Sequence, residues 1–340
     1  MGRTRRYILG SFVRNYLLVF LPFLLIVSVI FVIQLSILSS KVNIGFTELI
    51  RLFGYMLPEI FFYTIPFSLI AALANTFSRF SEENEFIALF ALGHTPRKIL
   101  LTFVPTLLLF SAFLLTLSLM LYPQMKQKIN HFKHQKVAEA TLRIVPNKLS
   151  QSFGNFHVFV ESKDDNGTYR NMVLFNRDTA GKYQLFIAKR GRVSNDKIRY
   201  TLRLNEGIGE TSDAQKVETV SYRELAFYQY PRAQYATFLT SEEYWKEAAK
   251  KEGRLRKLLY LTFVSLSPIL SFGLLASLTF YNPRYQRGLA SFAIFLVALF
   301  IYLPAAILQK YGTPWLFVTL VVGMLLLGIV LIRQRILKRF

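Results

Sequence analysis

Apolar positions follow two patterns along this chain, and each pattern predicts a different kind of element. In six stretches, residues 15–38, 53–77, 99–122, 258–280, 289–308 and 315–332, apolar side chains run almost without interruption. Each is close to the roughly 20 residues a helix needs to cross a hydrocarbon layer about 30 Å thick, so six transmembrane helices are predicted, three on each side of a long central segment. Arg3, Arg5 and Arg6 precede the first stretch as they would in a signal peptide. That stretch far outruns a signal sequence's apolar region and no small-residue cleavage site follows, which makes it a retained helix.

Between residues 123 and 257 the long runs vanish and a period of two takes over. It is clearest in 198–205, where Ile198, Tyr200, Leu202 and Leu204 share one face. Further strands are predicted over 156–161, 171–176, 183–189 and 217–230, with turn signals at Asn166-Gly167 and Asn195-Asp196. The segment is therefore an all-β domain, a sandwich or an open barrel. Its polar flanks, 124–142 and 241–257, read as helical stalks that extend the third and fourth membrane helices. The chain divides into helices one to three over 1–122, the β domain with its stalks over 123–257, and helices four to six over 258–340.

Composition agrees. Of 340 residues, 53% are hydrophobic and 18% charged, and the mean hydropathy is +0.34, which excludes an ordinary soluble protein. The net charge of +21 belongs to the flanks of the membrane helices, and no nucleic-acid partner is expected. With the N-terminus inside, the inner segments carry Arg3, Arg5, Arg6, Arg14, Arg79, Arg97, Lys98, Arg284, Arg287, Arg333, Arg335, Lys338 and Arg339, 13 cations in all. The short outer segments carry only Lys41, Arg51 and Lys310. That asymmetry places both termini in the cytoplasm and the β domain outside, because long domains are exempt from the positive-inside rule. The absence of cysteine rules out disulfides and thiolate chemistry.

Candidate chemistry is sparse. There is no phosphate-binding loop, no nucleophile elbow and no H-E-x-x-H, so the chain does not hydrolyse ATP by itself. His131 and His134 stand three apart on a stalk, but neighbouring lysines oppose a cation there, and neither a metal nor a cofactor is expected. Asp164, Asn166 and Thr168 fit a bacterial glycosylation pattern that an Asn-Gly turn explains more simply.

The inner loop between helices two and three is more informative. Residues 81–93 read as a short amphipathic helix, with Ser81 as its cap, acidic residues in its first turn, Gly93 as its stop and Pro96 beyond. Glu82, Glu85, Phe86, Leu89 and Phe90 fall near one face, mixing charge with apolar area as a docking surface does. A helix lying on the bilayer would favour Lys and Arg opposite anionic lipid, and three glutamates are misplaced for that.

In this order of elements the chain resembles the lipopolysaccharide export permeases LptF and LptG over nearly its whole length. The most specific match is 81–93 followed by Arg97-Lys98, which looks like the family's coupling helix with its E-x-x-x-x-x-x-x-G core from Glu85 to Gly93. Leu57-Pro-Glu59, Pro66-Phe-Ser-Leu69, Asn282-Pro-Arg284 and Arg287-Gly288 look more like LptF than LptG. The resemblance implies an α-helical membrane protein of the bacterial inner membrane with an inserted periplasmic jellyroll-like domain. It implies a paralogous permease as heterodimer partner, a cytoplasmic ABC ATPase dimer bound through the coupling helices, and a periplasmic bridge protein. It further implies a single-helix membrane partner near helix one, and lipopolysaccharide as cargo. Glu85 would be the coupling carboxylate, with Glu82, Phe86, Leu89 and Gly93 around it.

Other residues admit two readings. Glu59 is either a cavity or partner contact or part of a kink beside Pro58. Lys41 and Arg51 meet lipid phosphates or simply anchor helix ends. Phe292, Phe295 and Phe300 pack, face lipid or form a gate. Moving a multi-acyl lipid exposes many methylenes at about 0.8 kcal/mol each, so its route must be apolar throughout. Phe156, Val158, Val160, Leu185 and Ile187 on inward faces would continue such a route or simply form a β core. Two rival functions are a permease-like subunit that transmits force to periplasmic partners without moving lipid, and a membrane enzyme acting on lipid head groups.

Overall fold

Each of the six apolar stretches forms a helix in the computed structural model of the chain. The structure describes residues 2–41, 44–142, 145–148, 151–153, 155–164, 166–177, 183–196, 199–213, 216–229, 238–247, 252–281, 283, 288 and 290–338. Helices α1 (Gly2–Lys41), α2 (Phe46–Glu82), α3 (Glu85–Ala91) and α4 (Pro96–Thr116) come first. A wide π turn, Leu117–Leu121, joins α4 to α5 (Tyr122–Leu142), so the third span runs on into its stalk. After the strands come α6 (Ser241–Lys246), α7 (Glu252–Thr279), α8 (Ala290–Tyr311) and α9 (Pro314–Ile332). Six helices are long and apolar enough to cross a membrane. The second stalk differs from expectation, because α6 is a short helix of its own. Thr240 and Glu243 close a capping box at its start.

Two compact units divide the chain: Met1–Leu38 with Phe46–Ile129 and Phe238–Phe340, and Ser39–Gly45 with Asn130–Thr237. In the helical unit, α2 and α7 form the centre. The most apolar window of each is 72% buried, against 11% in α1 and α9. Small side chains make this possible: Ser68, Ser265, Ser267 and Ser271 are fully buried, and Ser118 in the π turn meets Ser265 at 3.0 Å. Helix α8 buries Ala293, Val297, Ile301, Ala305 and Leu308 at helical spacing. Helix α9 approaches α7 backbone to backbone, so that a Cβ on Gly273 would lie 2.6 Å from the Gly328 Cα. Helix α1 is held chiefly by rings, with Phe12 against Phe103 at 5.7 Å and Tyr16 against Phe110 at 5.3 Å.

The second unit holds one antiparallel sheet in sequence order, β1 (Gln151–Phe153), β2 (Phe156–Lys163), β3 (Tyr169–Arg177), β4 (Tyr183–Asp196), β5 (Arg199–Asp213) and β6 (Lys216–Gln229). Its inner face gathers Phe153, Val158, Val160, Met172, Leu174, Ala188, Leu202 and Leu204. Strands β2 and β6 are four places apart, which is about 19 Å in a flat sheet. The rings of Phe156 and Phe227 nevertheless lie 4.9 Å apart, with Phe186 against both. The sheet must curl until its face closes on itself, as the jellyroll-like expectation requires. Glycines line the curl: a Cβ on Gly191 would strike the Met172 sulfur, and one on Gly209 the Phe186 ring.

One aligned irregularity crosses the sheet. Pairing passes from Arg170↔Arg190 to Met172↔Ala188, from Arg190↔Asn205 to Ala188↔Gly207, and from Asn205↔Glu224 to Gly207↔Tyr222. Glu161, Asn171, Lys189, Glu206 and Arg223 are skipped together, and Asn171 and Glu206 have positive φ of 49° and 55°. Each of β3 to β6 therefore shows two consecutive exposed residues on one line, and the inner face changes parity across it. Lys189 pairs with Glu206 at 3.3 Å and Asn171 donates to Glu161 at 2.6 Å along this crease. The parity of β4 corrects the sequence reading. Phe186 and Ala188 face inward, whereas Ile187 is half exposed and Leu185 lies on its side of the strand, because Leu174 pairs with Phe186.

Candidate functional site

The candidate docking helix is shorter than its sequence pattern suggested. Helix α2 continues through Ser81 to Glu82, and α3 begins only at Glu85, after Asn84 in the left-handed conformation. Its end matches expectation. The His94 N–H donates to the Leu89 carbonyl at 3.1 Å and the Gly93 N–H to the Phe90 carbonyl at 2.9 Å, with Gly93 at φ +81°. This is a Schellman stop, and the left-handed turn is what requires glycine there.

Ser81 has a different task from capping. Only 1% exposed, its hydroxyl donates to the Thr279 carbonyl at 3.1 Å and accepts the Tyr281 N–H at 3.1 Å. Beside it the Tyr281 hydroxyl donates to Glu82 at 2.9 Å. Burial, and then this bond to Glu82, push the Tyr281 phenol up to about 12. A Cβ on Gly288 would strike both the Tyr281 oxygen and the Glu82 carboxylate, so the glycine leaves room for the pair. The end of α2 is thereby stapled to the end of α7. Ser81→Ala removes both of its bonds and leaves a buried N–H without its acceptor, an expected cost of about 1–3 kcal/mol. Hydrogen exchange should rise at the end of α7 while α3 keeps its protection; the reverse pattern would restore Ser81 as a cap.

Glu85 sits where α1, α2 and α3 meet. Its carboxylate accepts the Tyr7 hydroxyl at 3.0 Å and faces Arg79 at 3.6 Å. Arg79 in turn donates to Ser11 at 3.0 Å and pairs with Glu83 at 3.5 Å. Burial above all, and then a hydrogen bond with Glu83, hold the Glu85 carboxyl above the usual carboxylate value, while Tyr7 and Arg79 pull it down. Phe86 and Leu89 are buried in the chain's own core. Phe86 stacks on Phe280 at 4.0 Å and meets Phe80 edge to face at 5.6 Å, so α3 is seated on the ends of α2 and α7 together. The residues α3 leaves outside were not singled out by sequence: Ile87 is 41% exposed and Leu92 74%. Their position off the Phe86–Leu89 spacing was the available signal.

At the other end of α2, Glu59 has partners inside the chain. Lys126 lies 3.9 Å from its carboxylate and the Tyr63 hydroxyl 3.5 Å, while α2 continues through Pro58 as one helix. Lys257 stands over the Tyr122 and Tyr260 rings at 5.3 and 4.9 Å in the same helical unit. Arg51 is exposed on α2, and Lys41 closes α1 with its side chain outside the described set. Phe292 and Phe295 are exposed and continue with Leu299 and Leu303 as one outward stripe of α8, opposite its buried face; Phe300 is exposed as well. Asn282, Arg284 and Arg287 lie outside the described residues. The Gly167 N–H donates to the Asp164 carbonyl at 2.9 Å, and the Asp164 N–H donates to the Thr168 carbonyl at 2.8 Å. Among the described residues no group of three or more His, Asp or Glu gathers to hold a metal ion.

Compared with known proteins, the chain matches no curated protein. It does match the sequence profile of one protein family, described as lipopolysaccharide export system permease LptF/LptG, over residues 6–334.

Proposed function

Because the chain belongs to the lipopolysaccharide export system permease family LptF/LptG, we propose that it is one permease half of an ATP-driven extractor whose ATPase docks on α3. The chain is a multi-pass membrane protein and a transport subunit rather than an enzyme. In this reading it resides in the inner membrane with both termini cytoplasmic and pairs with a paralogous permease. The complex binds a cytoplasmic ABC ATPase dimer and delivers lipopolysaccharide towards a periplasmic bridge protein, with a single-helix partner beside α1. Between LptF and LptG, the Leu57-Pro-Glu59 and Pro66-Phe-Ser-Leu69 patterns favour an LptF-like chain.

The observation that carries this reading is the seat of Phe86 between Phe80 of α2 and Phe280 just after α7. A push on α3 reaches the two most buried spans at once, and Ser81 with Glu82 makes the same connection through hydrogen bonds. Within the site, Glu85 locks the first turn of α3 to α1 and α2, Phe86 and Leu89 seat the helix, and Gly93 ends it. Ile87 and Leu92 are left to meet the ATPase. At the far end, Arg51 and Lys41 are proposed to meet the phosphates of the cargo, with Glu59 setting the position of Lys126, and Phe292 and Phe295 to line the path its acyl chains follow.

The test is Glu85→Ala in the complex with its ATPase, reconstituted in liposomes. Loss of a charge-assisted hydrogen bond, on the order of 1.5–3 kcal/mol, should lower ATPase retention and lipid release together by about tenfold or more. Tyr7→Phe should give a smaller loss of the same kind, because it removes one bond to the same carboxylate. Wild-type retention and release in Glu85→Ala would remove Glu85 from the coupling path.

A further inference from the structure

Between the first turn of α1 and the start of α4 lies a cavity of about 410 Å³ whose rim carries Arg5, His94 and Lys98. Its floor is apolar. Ile8 and Ile99 are each 2% exposed, and Phe12 packs edge to face on Phe103 beside them. No carboxylate lines the cavity. Elsewhere in the helical unit Arg79 has counter-charges in Glu83 and Glu85, and Lys126 has one in Glu59. Among the described residues, Arg5, His94 and Lys98 make no ion pair.

We propose that this cavity binds the phosphate of an anionic phospholipid, in the leaflet that α3 faces. Cations drawn to one cavity without a counter-charge repel one another until an anion sits between them. A phosphodiester accepts hydrogen bonds from the Arg5 guanidinium and the Lys98 ammonium together. Helix α4 adds its positive end, since Pro96 opens it and Thr95 makes no side-chain cap. The second half of the argument is the wall below the rim. Leu101 lines the same cavity, is 54% exposed, and belongs to a helix long and apolar enough to cross the bilayer. A ligand that divides in the same way, charged at the rim and apolar along α4, is a membrane lipid. A soluble phosphate would use the rim alone, and a partner's carboxylate would leave the apolar wall uncovered. The site is separate from the α3 seat and does not depend on the transport reading.

The test uses the full-length chain with its partner subunits in nanodiscs of phosphatidylcholine doped with phosphatidylglycerol, and reads retained lipid by native mass spectrometry. Phosphatidylglycerol should be retained in preference to phosphatidylcholine, and inorganic phosphate should not displace it. Arg5→Gln with Lys98→Gln should lower retention about tenfold or more, the factor expected for a lost charge-assisted contact. Arg3→Gln with Arg6→Gln removes the same number of charges, from the first turns of α1 outside the cavity, and should leave retention intact. Arg5→Lys with Lys98→Arg should restore it. Equal loss in both neutralised pairs would reduce the effect to general surface charge and overturn the site. Displacement by inorganic phosphate, or loss of the ATPase without loss of lipid, would overturn it too. The competition between lipids and phosphate in the unaltered complex decides the matter even where a variant fails to fold.

Discussion

Phe86→Ala should abolish ATP-driven lipid release while leaving all six spans inserted. Truncating a buried phenylalanine costs about 3–5 kcal/mol, and its stacked and edge-to-face neighbours add about 0.5–1.5 kcal/mol for each aromatic pair. The loss falls on a helix of 7 residues, far below the length at which a helix is stable alone. Helix α3 should therefore melt locally, visible as rapid hydrogen exchange over residues 85–91, and the ATPase should fail to copurify. Leu92→Ala, at an exposed position, should weaken ATPase binding without melting α3. A Phe86→Ala complex that retains its ATPase and releases lipid normally would show that α3 draws its order from elsewhere.

Gly273→Ala and Gly328→Ala add the same methyl group on opposite sides of one helix contact, yet they should behave very differently. At 273 the new carbon meets the backbone of Gly328 at 2.6 to 3.0 Å; at 328 the nearest atom is 3.3 Å away. Backbone cannot rotate aside as a side chain can, so Gly273→Ala must push α9 off α7, at an expected cost of about 1–3 kcal/mol. Gly328→Ala should cost less, because its nearest backbone contact needs to give by only a few tenths of an ångström. Thermal unfolding in detergent would order the two, and a Gly328→Ala that is the worse of the pair would refute the packing argument.

Much of this architecture was legible because hydrophobic periodicity is local. The six spans follow from runs of apolar residues, the first stalk from the polar stretch that continues the third run, and the stop at Gly93 from a glycine with a proline three positions on. Ser81 shows where that reading fails. A serine ahead of acidic residues is a sound cap signal, but its partners Thr279 and Tyr281 are about 200 positions away and invisible to any local window. Glu59 is similar, since nothing in its neighbourhood announces Lys126. Phe86 and Leu89 were picked for the right spacing, yet spacing alone does not say whether an apolar face meets a partner or the chain's own core. In β4 the alternation was read with the wrong parity because the skipped residue at Lys189 shifts the phase, and a single strand gives no sign of it.

That skipped residue has a consequence for how the β unit tolerates insertions and deletions. A lone bulge can be deleted and the strand merely straightens. Here Glu161, Asn171, Lys189, Glu206 and Arg223 are out of phase with their own strands but in phase with one another. Deleting Asn171 alone would leave β3 one residue short of β4, so that with Met172 kept opposite Ala188 the place of Tyr169 opposite Gly191 would fall to Thr168. The five residues form one frame shared by the five strands β2 to β6, and a change in chain length at this line is tolerated only when every strand makes it together.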